Sequence, residues 1–345
     1  MENSKKEFNF CFFYNKELNY FPFDKLDEDI SKLSKEISCK IICHHIELNE
    51  IEEKAPKIAN LDMITCEPKE APYLPKLLSY FPKLTWVHSM FAGVDKFICL
   101  KEIGQNPQLT LTNARGAYSG PLAEYTILAM LHFNYNEPKY RECMDNKKWT
   151  KLTNIMIDKK TILIIGYGKN GVAIAKRVKP AFNMKVIGVV RTMRENIEGK
   201  EYTDELYGFD QMDKNVIGKA DFILATLPQT QQSNNLFDKK FFEMMKKDAV
   251  FINIGRGTAV VEEDLINALN NNVIRGAVLD VCQHEPLDST DKLYDVSKDK
   301  LFITNHSGDF TTSYIEQSYE PLLANIKEFI LNGKLVTVVK KDLGY

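Results

Sequence analysis

An arginine, a glutamate and a histidine follow three apolar runs in turn. Arg256 lies in Asn253-Ile-Gly-Arg256-Gly257, Glu285 in Asp280-Val-Cys-Gln-His-Glu285-Pro286, and His306 in Thr304-Asn-His306-Ser-Gly. A guanidinium offers a planar donor fork to a carboxylate and polarises the carbonyl beside it. An imidazole gives a proton to a carbonyl oxygen, or removes it in the reverse direction. A carboxylate on the far ring nitrogen orients the imidazole and favours its charged form. Together these three would complete a hydride-transfer site, lacking only the hydride. His284, beside Glu285, is an alternative proton donor. Taken singly, each residue also has a plainer reading: a surface arginine, a loop carboxylate, a structural histidine.

The hydride carrier has its own signature upstream. The apolar run Ile162-Leu-Ile-Ile is followed by Gly166-Tyr167-Gly168-Lys169-Asn170-Gly171, then by the helical pattern Val172-Ala-Ile-Ala-Lys-Arg-Val178. G-x-G-x-x-G between a strand and a helix is the dinucleotide fingerprint. The first glycine makes the tight turn, the second admits the pyrophosphate, and the third lets helix pack on strand. The phosphates would meet free N–H groups at the positive end of the helix. A dinucleotide fold for NAD places an acidic residue about 20 positions on. Here the next strand reads Met184-Lys-Val-Ile-Gly-Val-Val190-Arg191-Thr192, with Arg194 close by. Valine cannot bond ribose hydroxyls, whereas a guanidinium grips a 2′-phosphate. The reading therefore favours NADP(H) over NAD(H), with Arg191, Thr192 and Arg194 at the adenosine end. A solvated strand-end arginine is the alternative.

These residues need strands to hold them. Short apolar runs at Phe8–Tyr14, Lys40–Cys43, Asp62–Cys66 and Leu84–His88 alternate with helical stretches, which predicts a first α/β domain to about residue 113. A long amphipathic helix is predicted at Leu122–Phe133, with Pro121 suited to its first turn. Further strands are predicted at Asp221–Ala225, Ala249–Asn253, Gly276–Asp280 and Leu301–Thr304, and a tail helix at 320–331 capped by Asn332-Gly333. Strand ends beside a dinucleotide crevice are where substrate should lie.

Composition bounds the rest. At 345 residues the chain has room for two domains, and 44% hydrophobic residues with a net charge of -2 suit a globular core. No basic excess points to nucleic acid, and no apolar run approaches a membrane span. The start, Met1-Glu-Asn-Ser-Lys-Lys, lacks a signal core or transit pattern, so a cytoplasmic protein is expected. The seven cysteines are scattered and odd in number, which fits reduced thiols rather than a disulfide framework or zinc site.

The order of these motifs resembles the D-isomer-specific 2-hydroxyacid dehydrogenases, with likeness to their glyoxylate/hydroxypyruvate reductase branch at Trp86–Asp95 and Val190-Arg191. Asn113-Ala-Arg-Gly116, Ala123-Glu124, the glycine motif, Leu227-Pro228, Ile252–Gly257, Leu279-Asp-Val281, Glu285-Pro-Leu287 and His306 all look like family motifs. The resemblance implies an α/β chain of two Rossmann-like domains. A dinucleotide-binding domain at 114–306 would be inserted into a flavodoxin-like substrate (lid) domain made of 1–113 and 307–345, with hinges near Asn113 and His306. It implies that Ala92, Gly93 and Val94 cradle the substrate carboxylate with backbone N–H groups, jointly with Arg256. Leu227 and Pro228 would touch the cofactor, and Asp280 would face the nicotinamide carboxamide. It implies a homodimer built on the helix after Ala123-Glu124. The implied reaction is reduction of a small 2-oxo acid to the D-2-hydroxy acid, with Arg256, Glu285 and His306 catalytic and no metal. Asp309 departs from the family's usual small residues and adds negative charge near the site. Two alternatives stand beside this: a dinucleotide-sensing, corepressor-like binding protein, and a phosphoglycerate-type dehydrogenase of the same family.

Overall fold

The computed structural model describes residues 6–16 and 22–345; the first residues read for a targeting pattern, 1–5, lie outside that range. Contacts divide the chain into two compact units, 1–118 with 312–345, and 119–311.

The first unit holds strands β1 (Glu7–Tyr14), β2 (Lys40–Glu47), β3 (Met63–Cys66), β4 (Trp86–Ser89) and β5 (Thr110–Asn113), in the order β2-β1-β3-β4-β5. All pairings are parallel. This is the flavodoxin-like order, with its switch point between β1 and β3. A parallel sheet is covered on both faces, and successive side chains alternate between them. Strand β1 shows this directly: Phe8, Phe10 and Phe12 enter one buried cluster while Cys11 and Phe13 enter another. Helix Tyr314–Asn332 packs Leu322, Ile326 and Ile330 into the Phe8 cluster, at a helix's four-residue spacing. It starts before the predicted residue 320, carries Pro321 inside it, and ends at Gly333, whose φ of 64° closes it as expected.

The second unit holds β6 (Thr161–Ile165), β7 (Lys185–Val190), β8 (Glu205–Gly208), β9 (Phe222–Ala225), β10 (Val250–Asn253), β11 (Gly276–Leu279) and β12 (Leu301–Ile303). Their order is β12-β11-β10-β9-β6-β7-β8, again parallel throughout. The order reverses between β6 and β9, the place where a doubly wound sheet opens a crevice for dinucleotides. Two α/β units with parallel sheets are thus the observed fold class.

Strands β5 and β8 were not anticipated. Strand β5 reads Thr-Leu-Thr-Asn, with one aliphatic residue, and β8 is a half-exposed sheet edge, Glu-Leu-Tyr-Gly. Neither shows the apolar run that marks a buried strand. All seven cysteines are free thiols.

Candidate active site

The site is set by register. Ala225, Asn253, Leu279 and Ile303 pair in one row across β9, β10, β11 and β12, so these strands end flush. Arg256, Glu285 and His306 follow three of these ends within a few residues, all inside the second unit.

Each turn is tied by a polar residue at its strand end. Asn253 is fully buried; its Oδ1 accepts the Gly255 N–H at 3.0 Å and its Nδ2 donates to the Arg256 carbonyl at 3.1 Å. That closes the 253–256 turn, and Arg256 Nη1 donates to the Gly255 carbonyl at 2.8 Å. Gly257 brings this turn against the next one: a Cβ there would stand 1.9 Å from the Cys282 carbonyl oxygen. Only hydrogen fits.

Asp280 is buried, and its carboxylate gathers the third turn. It accepts the Thr304 hydroxyl at 2.6 Å, the Ser307 N–H at 2.9 Å and the Gly308 N–H at 3.0 Å. Its carbonyl accepts the His306 N–H at 2.8 Å. Because the Thr304 hydroxyl spends its proton on Asp280, the Tyr125 hydroxyl 2.7 Å away donates to Thr304. Tyr125 belongs to helix Ser119–Asn134, so that helix braces the turn. His306 itself has φ of 51°, the left-handed region that side-chain-bearing residues seldom adopt.

His306 Nδ1 lies 2.8 Å from Glu285 Oε2, and Glu285 Oε1 accepts the Cys282 N–H at 3.0 Å. The bond to Glu285 holds the His306 pKa above that of an ordinary histidine, against the opposing effect of burial. For Glu285, burial pushes the pKa up, but the His306 bond and charge, the Cys282 N–H and the Arg256 charge bring it below the usual value. Both shifts describe an ion pair with the Nε2 face of the ring left over. Arg256 is close enough for its charge to act on both partners. His284, the alternative donor, makes no such pair among the described residues.

At the glycine motif, Gly166 has φ of 97°, a backbone state suited to glycine, and its carbonyl accepts the Thr226 hydroxyl at 2.7 Å. This ties β6 to β9 across the switch point. Gly171 packs tightly, since a Cβ would meet Ile164 at 3.0 Å, whereas a Cβ on exposed Gly168 would meet nothing closer than 4.0 Å. Helix Lys169–Phe182 starts here, and the N–H groups of Lys169, Asn170 and Gly171 find no acceptor among the described residues. Open backbone, free donors and a helix N-terminus fit a pyrophosphate. Tyr167 turns inward instead, its hydroxyl bonded to the Gly199 carbonyl at 2.8 Å, so it offers a ligand only backbone. Lys169 pairs with Glu198 at 2.7 Å, and Asn170 accepts the Ser119 hydroxyl at 2.7 Å. Arg191, Thr192 and Arg194 are exposed past the end of β7. Leu227 packs on the core and Pro228 accepts the Ser233 hydroxyl at 2.6 Å, both just past β9.

In the first unit, Ala92, Gly93 and Val94 follow β4, and the Asn113 amide donates to the Ala92 carbonyl at 2.6 Å. The N–H groups of Gly93 and Val94 have no acceptor among the described residues. The braces Asn253, Thr304 and Tyr125 carried no assigned role in the sequence. The available signal was a polar residue closing an apolar strand.

A family model for the NAD-binding domain of D-isomer specific 2-hydroxyacid dehydrogenases matches residues 127–308. The chain is 35% identical over 267 residues to a probable 2-ketogluconate reductase of Dictyostelium discoideum, covering 75% of this chain and 76% of that one. It is 31% identical over 216 residues to glyoxylate/hydroxypyruvate reductase B of Enterobacter sp. (strain 638), covering 61% and 64%. Among solved structures, an NADPH-dependent glyoxylate/hydroxypyruvate reductase from Sinorhizobium meliloti, in complex with NADP and sulfate, aligns with a TM-score of 0.75. That alignment covers 98% of this chain and 100% of that one at 23% identity, a likeness of fold.

Proposed function

The chain belongs to the D-isomer-specific 2-hydroxyacid dehydrogenases, oxidoreductases that use a nicotinamide dinucleotide, and from that premise we propose that it reduces a small 2-oxo acid to the D-2-hydroxy acid with NADPH as preferred donor. Glyoxylate, hydroxypyruvate and similar acids are the substrate class, which the names of the relatives support. The observation that carries the proposal is the His306–Glu285 pair with the Arg256 charge beside it.

The bound dinucleotide supplies a hydride to the carbonyl carbon. The residues do the rest. Arg256 holds the substrate carboxylate and draws electron density toward the carbonyl oxygen. His306, held charged by Glu285, delivers a proton from Nε2 to that oxygen as negative charge develops on it. Glu285 fixes the tautomer and ring direction. The free N–H groups at Lys169, Asn170 and Gly171 take the pyrophosphate, and Arg191 with Arg194 takes the 2′-phosphate. The N–H groups of Gly93 and Val94 are assigned to the substrate carboxylate on the resemblance and on their lack of an acceptor. Asp280 organises the His306 turn mainly through Oδ1, which takes three donors, while Oδ2 takes only a share of the Gly308 N–H and keeps capacity to face the nicotinamide carboxamide.

A homodimer is part of the proposal. Leu128, Tyr135, Met144, Trp149 and Met156 are exposed large apolar side chains within one segment, a concentration that suits burial by a second copy. Among the described residues no helix is long and apolar enough to cross a membrane.

The test is the fall in NADPH absorbance, and separately NADH absorbance, on adding glyoxylate, hydroxypyruvate, pyruvate or phenylpyruvate. Turnover with NADPH preferred is expected. Cofactor binding without turnover of any acid would overturn the proposal.

A further inference from the structure

One carboxylate at this site has no part in the chemistry above. Ser307–Phe310 forms a tight turn, closed by the Phe310 N–H on the Ser307 carbonyl at 3.0 Å, with Gly308 and Asp309 at its centre. Asp280 pins the turn through the Ser307 and Gly308 N–H groups at 2.9 and 3.0 Å. Asp309 is therefore displayed from a fixed backbone, three residues past His306. It is partly buried, and among the described residues its side chain makes no ion pair and no hydrogen bond to another residue. The charges acting on it are those of His306 and Arg256, two of the proposed catalytic residues, and of Asp280, which holds the His306 turn. Burial raises its pKa, while His306 and Arg256 oppose that rise.

A partly shielded carboxylate gains from a donor, and among the described residues no other residue's side chain or backbone supplies one to Asp309. It also repels an anionic 2-oxo acid. A donor on the substrate reverses that balance. A carboxylate is an acceptor only, and a hydroxyl on the carbon next to the reacting carbonyl supplies a proton while leaving the substrate's single negative charge to Arg256. We propose that Asp309 is a specificity-determining residue: it accepts a hydrogen bond from that hydroxyl and selects hydroxylated 2-oxo acids over glyoxylate and pyruvate. This rests on the 2-oxo acid reading above.

The experiment compares kcat/KM for hydroxypyruvate, pyruvate and glyoxylate, with NADPH, in wild type, Asp309→Ala and Asp309→Asn. Asp309→Ala should cost hydroxypyruvate about tenfold, as the loss of one charge-assisted hydrogen bond implies. Pyruvate and glyoxylate should be unchanged or improve, because a repelling charge is gone. Asp309→Asn keeps an acceptor of the same shape and should fall between, which guards against a folding defect in the alanine variant. An equal change for all three acids would overturn the assignment. If wild type turns over none of them, the catalytic reading fails separately. Selection is then read from hydroxypyruvate and pyruvate titrated into the NADPH-loaded protein by nicotinamide fluorescence. Tighter hydroxypyruvate binding lost in Asp309→Ala would support Asp309, and equal binding in wild type would overturn it.

Discussion

The Nδ1 of His306 stands 2.8 Å from Glu285 Oε2, and the other oxygen of that carboxylate is fastened to the Cys282 backbone at 3.0 Å. The charged form of the imidazole is thus favoured, and the ring is aimed, by a carboxylate whose other oxygen is fastened to the backbone. In the proposed reaction, reduction needs the protonated ring. Because the His306 pKa is raised, the reductive rate should hold beyond the range of a free histidine and fall as pH climbs through the raised value. Glu285→Gln removes the charge, so this fall should move to lower pH, with KM for NADPH little changed. Identical pH profiles would remove Glu285 from its role. The pair also adds fold stability, lost as pH rises through the raised histidine pKa and as it falls through the lowered glutamate pKa.

Replacing the ring itself is the harsher test. His306→Ala should lower kcat by roughly 10²–10⁴-fold, the usual worth of a positioned acid, while NADPH still binds. Unchanged turnover would show that another group, such as His284, gives the proton.

Arg191 is the residue proposed to separate the two cofactors. Arg191→Ala should raise KM for NADPH at least about tenfold and leave KM for NADH nearly unchanged, because only NADPH carries the 2′-phosphate. Equal effects would place Arg191 in the solvent with no ligand role.

Two glycines of similar appearance should behave differently. A Cβ at Gly257 meets the Cys282 carbonyl oxygen at 1.9 Å, so Gly257→Ala must push the Arg256 and Glu285 turns apart. It should destabilise the protein by about 1–3 kcal/mol or more and suppress turnover, as a thermal melt with an activity assay would show. A Cβ at Gly168 meets nothing nearer than 4.0 Å, so Gly168→Ala should melt like wild type and bind NADPH weakly. Equal melting temperatures for the two variants would contradict this.

The proposed dimer has a simple check. Trp149 is fully exposed in the chain, and Trp149→Asp would place a charge in the interface. Sedimentation should show a dimer for wild type and a shift toward monomer for the variant. A monomeric wild type would refute the dimer.

Much of this was legible from residue order. The apolar runs at Ile162–Ile165 and Val250–Asn253 declare buried strands because a strand covered on both faces must be apolar throughout. The glycine spacing at Gly166, Gly168 and Gly171 announces a turn, an approach and a packing contact: the fold itself leaves no easy room for a Cβ at Gly166 and Gly171, and at Gly168 a Cβ would stand only in the way of a ligand. Strands β5 and β8 escaped, because buried threonines and a half-exposed edge leave no apolar signal. The sequence by itself also determined the order Arg256, Glu285, His306. Only the tertiary structure decided that they converge: parallel register brings Asn253, Leu279 and Ile303 into one row, and no local pattern encodes register between strands far apart in the chain. It likewise decided that Tyr167 turns inward, that Asp280 gathers the His306 turn, and that the Asp309 side chain just past that turn has no hydrogen-bond or ion-pair partner on another residue among the described residues. Each of these depends on which groups are left unsatisfied once everything else has packed, a property of the folded whole.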